Sequence, residues 1–195
     1  MVEVTIREVV FLSMVVLWVV IRAPYELKAM RRPIVRSARS LREVVGLVSA
    51  FVGLGLIPEA YIFFGFAHFA NYEPIPLQAF LGAMVAVSAL MVFYFTHRAL
   101  GSNWSASLDL RKNHRLVTGG IYRRVRHPMY SGFYLWAIAQ SLLLPNAIVG
   151  FSGILGFGML YYLRVKKEEE LMLETFGRRY EAYMRRTKRL IPWVY

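Results

Sequence analysis

The chain has 195 residues, of which 57% are hydrophobic and 18% charged, and its formal net charge is +12 at pH 7. Soluble domains usually carry about a quarter charged residues, so this composition favours a membrane protein over a soluble domain. The absence of cysteine excludes disulfides and thiolate metal ligands, and we predict no metal site.

Long uncharged runs predict membrane-spanning helices, because about 20 apolar residues form a helix of roughly 30 Å, the thickness of the hydrocarbon core. Residues 129–163 lack formal charge over a length sufficient for two spans, with a turn favoured at Pro145-Asn146. We predict an all-α polytopic fold, a single membrane domain over residues 1–195, with about five spans, the last two forming a helical hairpin. The predicted spans are residues 9–25, 44–67, 77–97, 129–144 and 146–164.

The positive charge is confined to a few segments. Of the 24 lysines and arginines, 23 lie in residues 22–42, 98–126 and 164–189. Five spans would place these segments on one side, and cytoplasmic loops carry excess lysine and arginine. We therefore predict an external N-terminus and a cytoplasmic C-terminus, in the cell membrane of a prokaryote or the endoplasmic reticulum of a eukaryote. This segregation favours membrane lipid as the partner of the basic surface and argues against nucleic-acid binding.

Residues 126–132, Arg-His-Pro-Met-Tyr-Ser-Gly, form the first group of candidate functional residues, at the start of the fourth span. Pro128 suits the first turn of a helix. The helix N-terminus offers free N–H groups to an anion, and His127 beside it would bind a ligand carboxylate. The alternative is an interfacial histidine–tyrosine pair beside an arginine that extends to the membrane surface.

Arg164 and Glu168 form a second group at the cytoplasmic end of the fifth span, spaced i, i+4 on one helix face. An exposed salt bridge, stabilising by about 0.3–0.5 kcal/mol, is one interpretation. The other is a ligand site, because an arginine fork binds a carboxylate and a glutamate binds an ammonium group.

Two further segments lie on the same predicted side. Residues 114–122 mix polar, apolar and aromatic groups that suit an adenosine, without a Walker or dinucleotide glycine pattern. The tail, residues 164–195, has the pattern of an amphipathic helix interrupted at Gly177. Together, residues 114–122, residues 126–132 and the Arg164–Glu168 pair would enclose a ligand that is both zwitterionic and aromatic.

These motifs, in their order and spacing, resemble the isoprenylcysteine carboxyl methyltransferase family from about Gly101 to Pro192. The matching segments are residues 116–122 (Leu-Val-Thr-Gly-Gly-Ile-Tyr), residues 126–132, Glu168-Glu169, Phe176-Gly177, Tyr180, Tyr183 and Pro192. The related phospholipid methyltransferases share the His-Pro-x-Tyr-x-Gly segment.

The resemblance implies S-adenosylmethionine as methyl donor, with S-adenosylhomocysteine as product, and a cofactor-binding part over about residues 101–192. There the cytoplasmic loop and the C-terminal helical tail would enclose the cofactor. By position, the cofactor-binding residues would be His114, Arg115, Leu116, Val117, Tyr122, His127, Pro128, Met129, Tyr130 and Glu168. Arg164 matches the family's arginine near the substrate carboxylate, and Arg164 and Glu168 are the candidate catalytic residues.

The implied activity is methylation of the C-terminal carboxylate of an isoprenylcysteine to a methyl ester, with the lipophilic prenylated substrate arriving from the bilayer. One alternative is a phospholipid N-methyltransferase, in which His127 or Glu168 would take the proton of the amine. A less favoured alternative is a membrane reductase of the sterol type that uses NADPH. A non-enzymatic scaffold would bind no cofactor.

Overall fold

The computed structural model describes residues 4–31, 33–37, 40–105, 109–111 and 115–194. Helices make up most of this part, which confirms the prediction of a mainly helical fold. They are α1 (Ile6–Met30), α2 (Leu41–Phe51), α3 (Ile57–Phe64), α4 (Pro76–Leu100), α5 (Pro128–Leu143), α6 (Ala147–Phe176) and α7 (Arg178–Arg186). A π-helical stretch, Val52–Leu56, joins α2 to α3.

Local sequence signals explain where several helices begin. The Thr5 side chain accepts a hydrogen bond from the Glu8 backbone, and the Glu8 carboxylate accepts one from the Thr5 backbone, which is a capping box for α1. Pro128 occupies the first turn of α5. The Asn146 side chain accepts from the backbone N–H groups of Ile148 and Val149, each at 3.0 Å, and so starts α6 directly after the turn at Pro145.

The helices pack around α5. It contacts α4 and α6 along its length, α1 packs on α4 and α5, and α2 packs on α6. Trp18, Phe93, Phe133 and Trp136 pack edge to face in the core between α1, α4 and α5. The α5–α6 hairpin therefore carries α1 and α2 on its two sides.

Three helical units among the described residues are long and apolar enough to cross a membrane: Leu41–Phe64, Pro76–Leu100 and Ala147–Phe176. These helices indicate an integral membrane protein. Helices overlap all five predicted spans, the second being formed by α2, the π-helical stretch and α3 together. Because α5 has only 16 residues, the number of spans stays a prediction.

Within the described residues, the structure differs from an all-α fold by a short two-stranded sheet. Strand β1 (Ile34–Ser37) pairs antiparallel with β2 (Asp109–Arg111). These strands have four and three residues, too short for a detectable alternation of apolar and polar residues. Their pairing links two loops on the face of the molecule that holds the candidate site.

Candidate active site

His127 immediately precedes α5, where its ring faces two glutamates of α6. Its Nε2 atom lies 3.2 Å from Glu169 Oε1, and its Nδ1 atom lies 3.6 Å from Glu168 Oε1. The ring is also stacked on Tyr130, one helical turn further along, with 5.3 Å between centroids. Burial lowers the pKa of His127, but hydrogen bonds and charge from the two glutamates outweigh it and raise the pKa above its ordinary value. The two glutamates therefore stabilise the doubly protonated imidazolium relative to the neutral ring.

Glu169 is buried and is surrounded by cations. Arg126 donates to Glu169 Oε1 from Nε and Nη2, at 3.1 and 3.0 Å. Arg189 donates to the same carboxylate from Nε and Nη2, at 3.2 and 2.7 Å. Together with His127, three cationic groups therefore converge on one carboxylate. Through these contacts, the loop before α5 is held to α6 and to the tail.

Glu168 connects this cluster to the opposite wall of the site. The Tyr130 hydroxyl donates to Glu168 Oε2 at 2.5 Å. Arg164 Nε lies 3.5 Å from the same oxygen, and Arg164 Nη1 lies 3.5 Å from Oε1 of Glu43 on α2. Arg164 is only 8% exposed, so the interpretation of an exposed salt bridge is wrong. The pair belongs to a buried network that joins α2, α5 and α6.

The C-terminal tail folds back over the segment that contains His127. The backbone N–H of His127 donates to the Arg189 carbonyl at 3.0 Å, and the hydroxyl of Ser131 donates to the Leu190 carbonyl at 2.6 Å. Arg126 also donates to the carbonyls of Met184 and Thr187. The helix is interrupted at Gly177, as the sequence predicted. Gly177 has a φ of +51°, and this bend directs α7 back toward the site.

Tyr183 of α7 adds a further hydrogen bond between the tail and the segment before α5. Its hydroxyl donates to the carbonyl of Tyr122 at 2.7 Å. Burial raises the pKa of Tyr183 well above its ordinary value, so the hydroxyl stays protonated and remains a donor. The tail is thus fixed to residues 122–131 by both backbone and side-chain hydrogen bonds.

A cavity of about 590 Å³ opens beside these residues. One part is polar and is lined by Arg115, Tyr122, His127, Arg164 and Glu168. The other part is mainly apolar, although Glu59 of α3 is in its lining, and it runs between α1 and α2–α3, over the α5–α6 hairpin. Its lining includes Val15, Trp18, Val19, Leu47, Phe51, Leu54, Phe133, Trp136, Phe157 and Leu160. The volume lies in the range typical of cavities that bind small molecules.

Most of the residues predicted for the site line this cavity. It is lined by Arg115, Leu116, Val117, Tyr122, His127, Met129, Tyr130, Arg164 and Glu168. Pro128 is buried at the start of α5 and is not part of the lining, so its place there is to begin the helix. His114 lies outside the described residues. Among those that are described, no group of three or more histidine, aspartate and glutamate side chains is arranged to hold a metal.

Sequence reasoning did not assign a role to several residues of the site. Glu43 and Arg22 come from α2 and α1, where no motif marked them, and Trp104 follows α4. Glu169 stands in the Glu168-Glu169 motif, but the sequence offered no basis for separating the two carboxylates. The sequence signal for Glu169 was its position, because it is a charged residue in a helix that continues past an apolar span.

Comparison with known proteins agrees with this geometry. The model of the isoprenylcysteine carboxyl methyltransferase (ICMT) family matches residues 80–174. The predicted resemblance to this family is confirmed. The protein-S-isoprenylcysteine O-methyltransferase of Dictyostelium discoideum is 31% identical over 121 residues, which is 59% of this chain and 49% of the relative. The enzyme of the same name from Homo sapiens is 33% identical over 96 residues, 48% of this chain and 34% of the relative.

The fold is also that of a solved ICMT. A structure described as the eukaryotic intramembrane Ras methyltransferase ICMT superposes with a TM-score of 0.53 at 24% identity, over 82% of this chain and 55% of that one. The chain spans about half the length, or less, of the curated ICMT relatives it matches. The part matched by the ICMT family model contains α5, His127, Arg164 and Glu168, whereas α1 and α2 lie before it.

Proposed function

We propose that this protein is an S-adenosylmethionine-dependent carboxyl O-methyltransferase that converts the C-terminal carboxylate of an isoprenylcysteine to a methyl ester. The observation that carries the proposal is the cavity, in which a charged pocket at the His127–Glu168 cluster continues into an apolar groove. A polar cofactor and an apolar, carboxylate-bearing acceptor are the two ligands that such a cavity suits. The named relatives and the shared ICMT fold support the same reaction.

The residues present fit the proposed cofactor. Leu116, Val117 and Tyr122 supply apolar and aromatic surface for an adenosine, and His127 and Glu168 supply opposite charges for a zwitterionic amino acid. S-adenosylmethionine would supply an electrophilic methyl group, which leaves its sulfur as the neutral sulfide of S-adenosylhomocysteine. The loop before α5 and the tail would enclose it.

The chain's own contribution to the reaction is orientation. The acceptor carboxylate has a pKa of about 3.3–3.7 and is ionised at neutral pH, so its methylation requires no general base. Arg164 would direct the carboxylate. Glu43 and Glu168, each with an oxygen 3.5 Å from an Arg164 nitrogen, would hold Arg164 in place. Alignment of reacting groups in a water-poor site contributes several kcal/mol to lowering a barrier.

The proposed arrangement in the membrane gives the two ligands separate routes. The basic segments would face the cytoplasm, with the N-terminus outside, so that the cofactor reaches the polar part of the cavity from the cytosol. The prenylated acceptor would arrive from the bilayer through the apolar groove beside α1 and α2.

Radiolabelled methyl transfer to an N-acetylated prenylcysteine tests the proposed function. We expect base-labile label on the acid and none on the matching carboxamide, which lacks the nucleophilic carboxylate. Base-stable label on a phospholipid amine, with no label on the acid, would instead indicate the N-methyltransferase. The cofactor site is tested separately by calorimetry with S-adenosylmethionine, where unchanged affinity in both His127→Ala and Glu168→Ala would contradict the assignment.

Arg164→Gln tests the assignment of the acceptor-directing arginine. We expect S-adenosylmethionine affinity to be retained and turnover to fall about ten- to a hundredfold, because a charge-assisted hydrogen bond stabilises by about 1.5–3 kcal/mol. Arg164→Lys, which keeps the charge, should recover part of this loss. Turnover equal to wild type in Arg164→Gln would remove the proposed role.

A further inference from the structure

Arg22 lies at the cavity wall on α1, outside the segment that the family model matches. Its guanidinium carbon lies 4.7 Å from the ring centroid of Trp104 and 5.0 Å from that of Trp18. Both distances fall within the range of cation–π interactions. The two indole rings therefore hold the guanidinium in place and keep it partly shielded from solvent, with 23% of the side chain exposed.

Further contacts hold Trp104 and Arg22 in this arrangement. The His97 ring stacks on Trp104 at 5.7 Å, and His97 Nδ1 lies 2.8 Å from the Phe93 carbonyl, which anchors that ring to α4. Glu26 accepts from Arg22 Nε at 2.9 Å and from Nη2 at 3.4 Å. Since a guanidinium has five N–H donors, this pairing with Glu26 leaves capacity for a second anion from the cavity.

Between Val15 and Arg22, the face of α1 that lines the cavity is apolar. Val15, Trp18, Val19 and Arg22 follow the i, i+3, i+4, i+7 spacing of one helix face, and all four line the cavity. Leu47, Phe51 and Leu54 of the α2–α3 unit line the same groove. A ligand lying along α1 would thus contact apolar residues along its tail and a fixed cation at one end.

We propose that Arg22 binds the anionic headgroup of the acceptor, which makes α1 part of the acceptor site and Arg22 a specificity-determining residue. This inference rests on the proposed function and adds to it a second, positionally distinct cation. Arg164 belongs to the Glu43–Glu168 network on the α6 side, whereas Arg22 belongs to α1. Conversion of the acceptor to its ester removes the charge that Arg22 holds, so the same contact favours binding of substrate over retention of product.

Direct binding tests the inference without requiring turnover. An N-acetylated prenylcysteine and its methyl ester differ in charge and share the same tail, and each is titrated into the detergent-solubilised protein by calorimetry. We expect wild type to bind the acid about tenfold or more tightly than the ester, the contribution of one charge-assisted hydrogen bond. Arg22→Gln should lose most of this preference, with the remainder coming from Arg164, and Arg22→Lys should keep more of it than Arg22→Gln.

Lys28→Gln is the matched control, because Lys28 is an exposed basic residue on the same helix and is not in the cavity lining. It should retain the wild-type preference. S-adenosylmethionine affinity should stay within about twofold of wild type in Arg22→Gln, which a general loss of folding would not allow.

The outcomes separate the two proposals. Absence of methyl transfer by wild type would overturn the proposed function, while the acid-over-ester preference would still report on Arg22. No such preference in wild type, or a preference that survives in Arg22→Gln and disappears in Arg164→Gln, would overturn the role of Arg22. A loss of cofactor affinity equal to the loss of acid binding would also overturn it, since Arg22 would then act on the cofactor or the fold.

Discussion

Adjacent glutamates perform different tasks at the centre of the site. Glu168 contacts Tyr130 and Arg164 beside the cavity, whereas Glu169 is surrounded by Arg126, His127 and Arg189. Successive residues of an α-helix point about 100° apart, so two neighbours reach different partners from one turn. Glu169 is therefore the residue that holds the tail and the loop before α5 together, and Glu168 is the one that lines the cavity.

Glu169→Gln should strongly destabilise the protein, because it leaves the converging cations of Arg126, His127 and Arg189 without their buried carboxylate. We expect the free energy of unfolding to fall by about 3–5 kcal/mol, the usual cost of breaking a buried ion pair. Urea or thermal unfolding in detergent measures the loss. The neighbouring Glu170→Gln is the control, because the Glu170 side chain is 59% exposed and its ion pair with Lys167 lies at the surface. This substitution should change the free energy of unfolding by about 0.5 kcal/mol or less. Equal effects in the two variants would contradict the role of Glu169.

The raised pKa of His127 predicts a dependence of stability on pH. A group whose pKa is higher in the folded state contributes stability that is complete below the unfolded value, about 6.5. This contribution is lost as the pH rises through the folded-state pKa. We therefore expect the melting temperature to decrease from pH 6 upward, measured in one detergent at constant ionic strength. His127→Gln should flatten this dependence, and a slope unchanged in the variant would assign it to other groups.

At the scale of elements, α6 connects the membrane interior to the site. Its 30 residues give a length of about 45 Å, compared with roughly 30 Å for the hydrocarbon core. The helix therefore continues past an apolar span, and Arg164, Glu168 and Glu169 lie in that continuation. Its apolar half packs closely against α2, where Ser49 Oγ donates to the Gly156 carbonyl at 2.9 Å.

Small residues permit this close contact between α2 and α6. A Cβ atom added to Gly156 would lie 2.3 Å from the Ser49 carbonyl oxygen. We expect Gly156→Ala to destabilise the protein by about 1–3 kcal/mol through forced separation of the helices. Gly158→Ala is the matched control on the same helix, because its Cβ would lie no closer than 4.0 Å, to the Tyr134 hydroxyl. Comparable unfolding midpoints for the two variants would mean that the helices separate without cost.

At the scale of the whole molecule, the distribution of charge predicts an orientation in the membrane. The cysteine-free sequence allows single cysteines to be placed without background. We expect Glu181→Cys, on the exposed face of α7, to react with a membrane-impermeant maleimide only from the cytoplasmic side. Glu73→Cys, exposed before α4, should react only from outside. Labelling of both from the same side of sealed vesicles would contradict the five-span arrangement.

Much of this organisation was predictable because it depends on local pattern. Uncharged runs marked the helices, Pro128 and Pro145-Asn146 marked where α5 and α6 begin, and Gly177 marked the break before α7. These signals reflect local backbone geometry and the cost of burying charge in lipid, which a sequence shows directly. The ordered motifs in residues 116–132 likewise led to the ICMT family.

The partners of the buried charges required the folded chain. Glu43 lies 121 residues before Arg164, and Arg22 is clamped by Trp104 from another helix. No short spacing relates such residues, because their contacts arise from how α1 and α2 pack on the two sides of the α5–α6 hairpin. The amino-acid order thus indicated a helical membrane protein with a C-terminal half that resembles the ICMT family. Helix packing established which charges meet, and it brought α1, for which the sequence offered no role, to the wall of the cavity.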